Sequence, residues 1–373
     1  MNILINALGI TDSGGVTVLK KLFEELSKEH SNKYVILCNK NQSVIKLIIN
    51  YKLQMNFEFK VIKDLGIFKR VYYENFIFKE IIKDSSIDLI YNFSGSSQFF
   101  IKTPQLVKTH NLLFYTKKLD RFYQSRLILW IRHVFLKRIF FKFMLNRSRH
   151  IEIQSPHVKS CLSDFIKMKD KVFYIKSDID ISDSFFLTPK QYDFNKKINF
   201  LYIIGPHFEY PHKNIKDFTN AMLGMKNSNI NYEITITLSE EQLSASTCWD
   251  CSLNTETNFL GYIDSREELK NLFCDNTILI STSVIETLGL HVVEAIQNGI
   301  LTIVPGEEYA SSVYGNKMFK YDLFNKDSLI SVIMNILNYK NSFEMKILDI
   351  QEDLRKSEMT KFRSILDIFD EVI

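Results

Sequence analysis

Short apolar runs of strand type alternate with longer amphipathic stretches along this 373-residue chain, and near residue 190 the alternation starts again. "NILINA" opens the chain. In "LGITDSGGVTVLKKLFEEL" after it, glycines punctuate, and Val16, Leu19, Leu22, Phe23 and Leu26 fall on one helical face. "KYVILCN", "IDLIYNFS", "PQLVKTHN" and "HIEIQSP" read as further buried strands. The second series is "KKINFLYIIGP", "NYEITITLS", "TNFLGY", "NTILIST" and "ILTIVPG", with helical stretches at roughly 214–225, 265–273 and 290–298. Such alternation predicts βαβ units around parallel sheets. The chain is also longer than one core usually accommodates. The expected fold is therefore α/β, with two Rossmann-like doubly wound domains facing across a cleft at the carboxyl ends of their strands. The expected domains are 1–185 and 186–352, with the last stretch, 353–373, a helix that packs back on the first domain.

Bulk properties narrow the function. A formal charge of +4 argues against a dedicated nucleic-acid binder. Five cysteines without framework spacing suit a reducing compartment. The start "MNILINALGI" lacks the basic residues and long apolar run of a signal peptide, and no run of 18 uncharged apolar residues suggests a span. Heavy use of lysine, isoleucine, asparagine and phenylalanine suggests an AT-rich bacterial gene. No G-x-G-x-x-G fingerprint appears, which counts against a nicotinamide dehydrogenase.

"SVIETLGLHVVEAIQNGI" carries two glutamates, Glu286 and Glu294, around the start of a helix beginning near Gly289. Val292, Val293 and Ile296 face the sheet in that reading. The amides of Thr287, Leu288, Gly289 and Leu290 point out of the helix tip and favour an anion, a phosphate above all. Ionised carboxylates only accept hydrogen bonds, so the glutamates suit sugar hydroxyls. Glu294 lies about 7 Å along the helix from the amides at the standard rise. A diphosphate with a sugar on each side has that shape, which is the shape of a nucleotide sugar. A retaining glycosidase, with carboxyls about 5–5.5 Å apart, fits this spacing poorly. The plainer alternative is a pair of solvated helix residues with no ligand.

Lys213, in "GPHFEYPHKNI", opens a helix after the first strand of the second series, where its charge would neutralise a leaving diphosphate. His207 and His212 lie in the same loop. Gly14 and Gly15 turn into a helix N-terminus and could face the diphosphate. His110 follows a strand of the first series and could donate to a sugar hydroxyl or the phosphates. For each the alternative is an ordinary solvated or structural residue. "CWDC" (Cys248 to Cys251) has no second pair or nearby histidine to complete a metal site. No metal or other cofactor is expected.

From Lys117 to His150 the chain carries ten lysines and arginines, one acid, Trp130 and several phenylalanines. A basic, aromatic-rich amphipathic segment predicts binding at an anionic membrane surface; the alternative is a core helix with a basic outer face.

Together these pieces resemble glycosyltransferase family 4, retaining enzymes of the GT-B fold. The resemblance covers Leu201–Glu308: the E-x7-E motif "ETLGLHVVE", the "YPHKN" loop, and "NFLGYIDSREELKNLF" between them. The first half matches only through its Gly-Gly turn and "HN" after a strand. The resemblance implies that Glu286 contacts the transferred sugar and the amides of Thr287–Leu290 hold the diphosphate. It further implies that Glu294 binds the ribose, Lys213 neutralises the leaving phosphate and His110 touches the donor sugar. The family's usual phosphate-binding arginine is absent, and His207 stands in its loop. A retaining hexosyltransferase is implied, with a nucleotide-sugar co-substrate and no metal. Its acceptor is expected to be a lipid-linked oligosaccharide or other glycan in bacterial surface polysaccharide assembly (O-antigen, capsule or lipopolysaccharide). Its expected place is cytoplasmic and peripheral, at the inner face of the membrane. A sugar-nucleotide epimerase on the same scaffold and a non-catalytic sugar-nucleotide-binding protein are the alternatives.

Overall fold

The β-rich run Asn2–Ala7 (β1) is an interior strand of a parallel sheet. The computed structural model describes residues 1–373 apart from 11–12, 64, 119, 124–126, 177, 179–184, 206, 264, 340–341 and 358–362. The chain divides into two units. The first comprises Met1–Thr116, Arg126–Asp178 and Lys361–Ile373, and the second Lys117–Ser125 and Ile179–Thr360.

In the first unit, β1 is joined by Lys33–Asn39 (β2), Phe57–Ile62 (β3), Leu89–Asn92 (β4), Gln105–Thr109 (β5), His150–Ile153 (β6) and Val172–Ile175 (β7). Among the described residues the strand order is β3-β2-β1-β4-β5-β6-β7, and every pairing is parallel. The chain winds outward from β1 to β3, then returns to β4 on the other side. The β1/β4 boundary is therefore the topological switch point. Helix Ser13–Leu26 buries Val18, Leu19, Leu22, Phe23 and Leu26 on this sheet, the face its periodicity predicts. Ile365, Ile368, Phe369 and Val372 of the last helix, Ile365–Val372, complete the same core. The final helix thus returns to the first unit as expected. Helix Glu344–Lys356, just before it in the chain, belongs to the second.

The second sheet is built from Ile198–Tyr202 (β8), Tyr232–Ile236 (β9), Thr257–Phe259 (β10), Thr277–Ile280 (β11), Leu301–Pro305 (β12) and Phe319–Tyr321 (β13). Its order, β10-β9-β8-β11-β12-β13, is again all parallel, with the switch point between β8 and β11. Alternate residues of one strand serve two cores: Phe200 and Tyr202 on one face, Leu201 on the other. Helix Leu290–Gln297 covers the second face with Val292, Val293 and Ile296, as its pattern predicts.

The basic segment is not one regular helix. Lys118 pairs with Glu307 at 3.2 Å inside the second unit. Residues 127–147 run through the first unit as Leu127–Trp130, a wider turn at Ile131–Phe135, and Leu136–Arg147. Arg126 lies outside the described residues, as do the side chains of Arg121 and Arg132. Among the described residues no helix is long and apolar enough to cross a membrane.

Candidate active site at the switch point of the second sheet

Two loops leave the carboxyl ends of β8 and β11 and meet at the place where a doubly wound sheet takes its ligands. The first loop ends in the short helical turn Pro211–Lys213. Asn214 follows in the left-handed region (φ 49), which asparagine tolerates better than most residues, and its amide reaches Asp217 Oδ2 at 2.7 Å. The left-handed residue bends the chain into helix Ile215–Lys226 and leaves Lys213 at the corner.

Backbone and hydroxyl groups hold the two loops together. Val284 N–H donates to the His212 carbonyl at 2.8 Å, and Thr282 Oγ1 donates to the Lys213 carbonyl at 2.8 Å. Tyr202 Oη meets Thr282 Oγ1 at 2.6 Å below them. Lys213 Nζ then lies 2.8 Å from Glu286 Oε1. Burial opposes ionisation of Glu286, but the Lys213 ammonium, His291 and the Ser283 hydroxyl outweigh it and hold the carboxyl down at about 2. Burial pushes His291 down to about 4 and His212 to about 3, so both rings are neutral near pH 7. His212 Nδ1 is buried without a hydrogen-bond partner among the described residues, an uncommon state for a ring nitrogen.

The helix after Glu286 begins at Leu290 with Gly289 as its N-cap, and no side chain caps it. Val292 and Val293 donate to the Gly289 carbonyl, which leaves the Leu290 and His291 amides ahead of them to a ligand or to water. Gly289 sits at φ 60, and a Cβ there would collide with the hydroxyl of Tyr314, which is fully buried and has no hydrogen-bond partner among the described residues. Only glycine combines that backbone with that approach. Tyr309 Oη donates to the Ser283 carbonyl at 2.6 Å, so two tyrosines of one helix shape the loop from beneath. Leu288 and Gly289 are buried, while Thr287 and Leu290 keep partial exposure.

Glu294, one turn further on, receives Arg266 Nε at 2.6 Å; Arg266 Nη2 also reaches it. Both nitrogens bind Oε1, which leaves Oε2 as an acceptor for a ligand hydroxyl. Arg266 opens helix Arg266–Lys270. Sequence reasoning missed Arg266. The signal was present in "SREELK", a capped helix start with an arginine, but its partner is 28 residues away. It missed His291 as well.

His207 is exposed and stacks on Tyr210, with ring centroids 5.2 Å apart and planes 5° from parallel. Gly14 and Gly15 lie inside helix Ser13–Leu26 rather than in a turn before it, because the helix begins one residue earlier than the glycines suggest. His110, past β5, pairs through Nε2 with the Phe93 carbonyl and packs edge-on against the Phe93 ring at 5.2 Å. Cys248 and Cys251 are free, and among the described residues no cluster could hold a metal ion.

Residues 186–340 match the family described as glycosyl transferases group 1, so the E-x7-E motif, Lys213 and Arg266 all fall inside the matched segment. No sequence among curated proteins matches. Among solved structures, the chain is similar to a sucrose-phosphate synthase from Thermosynechococcus elongatus (TM-score 0.68, 13% identity, 100% of this chain and 99% of that one). HepE of Anabaena, solved with UDP-glucose, aligns at TM-score 0.64 and 12% identity over 100% and 98% of the two chains. The lipopolysaccharide outer core galactosyltransferase WaaB gives 0.63 and 15% over 100% of both. Two parallel-sheet α/β units in this order make the fold GT-B, as the family resemblance implied.

Proposed function

We propose that the protein is a retaining glycosyltransferase that moves a sugar from a nucleotide-sugar donor to a glycan acceptor. The observation that carries this reading is the meeting of Lys213, Glu286 and the uncapped tip of helix Leu290–Gln297 at the switch point of the second sheet. A cation and a helix N-terminus favour a diphosphate. The family match over 186–340 and the UDP-glucose bound to HepE support the same ligand class.

In this reading the amides of Thr287–Leu290 hold the diphosphate, and Lys213 neutralises it as it leaves. Glu286 accepts from hydroxyls of the transferred sugar, and Glu294 Oε2 accepts from the ribose. His110 touches the donor sugar, as the family resemblance implies, and His207, Gly14 and Gly15 keep the phosphate contacts that their places in the sequence suggest. Charge neutralisation by lysine and helix dipole lets the acceptor hydroxyl attack from the face the diphosphate leaves, with configuration retained and no metal needed.

We assign the acceptor to the lipid-linked glycans of bacterial surface polysaccharide, and the protein to an anionic membrane surface. An exposed apolar face on the first unit supports the membrane assignment. Phe143 is 55% exposed, and Phe99, packed against it, joins it to exposed Phe100 and Phe76 from other elements. Lys79 stands over the Phe76 and Phe100 rings and Arg147 over Phe99 and Phe143, a cationic aromatic rim suited to headgroups.

The test is a donor screen by thermal shift across common nucleotide sugars, followed by turnover with membrane extract as acceptor source. Transfer of labelled sugar to lipid is expected. Isomerisation of the donor without any acceptor would instead favour an epimerase, and donor binding without turnover a binding protein.

A further inference from the structure

The switch point of the first sheet holds a second ion pair at the place matching the first. In the second sheet the β8 and β11 loops bring Lys213 to Glu286. In the first sheet, the loops after β1 and β4 surround Arg70 and Glu74. Gly9, in the loop after β1, donates its N–H to Ser94 Oγ at 2.8 Å, which ties that loop to the one after β4. Asn39 fastens it from the other side by donating to the Leu8 and Ile10 carbonyls.

Arg70 is held in this setting by one edge. Its Nε donates to Glu74 Oε1 at 2.8 Å and its Nη2 to Ser96 Oγ at 3.2 Å. Glu74 is 1% exposed, and the same oxygen also accepts from Asn6 Nδ2 at 2.9 Å and from Ser96 Oγ at 3.0 Å. One oxygen of the buried carboxylate thus takes three donors inside the protein, and Glu74 acts as a fixed anchor. The other edge of the guanidinium lies over Gly9, so close that a Cβ there would collide with Nη1. Among the described residues Nη1 donates to nothing. The side chain keeps 22% exposure, so solvent or a ligand reaches it.

We propose that Arg70 binds an oxyanion, a phosphate or carboxylate, at the switch point of the first sheet. A guanidinium offers planar paired donors that match such a group, and anchoring one edge aims the other without further loss of side-chain freedom. Combined with the glycosyl-transfer reading, on which only this last step rests, the oxyanion belongs to the acceptor.

The experiment uses the full chain with Lys213→Ala, which removes the competing cation of the second unit, and inorganic phosphate as probe. Phosphate is expected to raise the Tm of this protein, and adding Arg70→Gln is expected to lower phosphate affinity at least tenfold. Arg70→Lys keeps a cation for Glu74 but lacks a second edge; it is expected to fold, retain its Tm without phosphate, and show the same tenfold loss. Equal phosphate affinity in the folded Arg70→Lys protein and its parent would overturn the proposal, since a merely structural tether leaves that affinity untouched. Phosphate binding needs neither donor nor turnover, so its outcome is separate from that of the transferase reading. Two further arms identify the source. Displacement of phosphate by glucose 1-phosphate points to a soluble sugar phosphate. Arg70-dependent sedimentation with phosphatidate vesicles points to a lipid headgroup.

Discussion

Lys213 Nζ rests 2.8 Å from Glu286 Oε1, although 73 residues separate the two in the chain. Lys213 keeps Glu286 ionised at a partly enclosed site, so a diphosphate that draws on Lys213 competes with Glu286 for it. Lys213→Ala should therefore weaken binding of the nucleoside diphosphate by about tenfold or more, roughly 1.4 kcal/mol, in isothermal titration. Unchanged affinity would remove Lys213 from the phosphate site.

Glu286→Gln should lower turnover on the order of a hundredfold and leave donor affinity within about threefold, if the carboxylate acts on charge that develops at the sugar. Steady-state kinetics beside donor titration separates the two effects. Equal losses in both would mean uniform binding rather than chemistry.

The same ion pair sets a pH dependence. The folded carboxyl of Glu286 is held at about 2, below its ordinary 4.5. A depressed carboxyl contributes stability that is present above pH 4.5 and lost as the pH falls toward 2. Urea midpoints between pH 2 and 6 should show less acid loss in Lys213→Ala than in the parent protein. Identical profiles would mean that Lys213 is not what holds the carboxyl down.

Gly289→Ala should destabilise the protein by about 1–3 kcal/mol, because it combines a left-handed backbone with a collision against the Tyr314 hydroxyl. Tyr314→Phe removes a buried hydroxyl that has no partner among the described residues and should be neutral or slightly stabilising. The double variant should recover part of the loss, and a strictly additive cycle in thermal unfolding would show that the hydroxyl is not the obstacle.

In the first unit Lys108 is 1% exposed between Glu152, at 2.5 Å, and Asp178, at 2.8 Å. Lys108→Met strands two buried carboxylates and should cost about 3–5 kcal/mol in urea unfolding. A loss under about 1 kcal/mol would mean that solvent or a side-chain shift relieves them.

Replacing Phe76, Phe100 and Phe143 with serine should release the protein from anionic vesicles without lowering its Tm, since all three side chains are exposed. Sedimentation with the vesicles as before would remove this face from the membrane contact.

Interior strands such as β1, β2 and β11 were legible because each carries a short apolar run buried on both faces, as in "ILI" of β1 and "VILC" of β2. The edge strands β3, β7 and β13 escaped notice because edges are half-exposed and their apolar runs short or interrupted, as in "FEFKVI". The two glutamates and the glycine between them were readable for a related reason: helical rise and the φ preference of glycine are local properties of the backbone. Which side chain answers each carboxylate was not readable. Arg266 reaches Glu294, Lys213 reaches Glu286 and Arg70 stands over Gly9 through connections that leave the sheet and return elsewhere. Local pattern followed from dihedral and burial periodicity within a few residues. The charge partners were decided by strand order, because a parallel sheet places side by side loops that the chain keeps far apart.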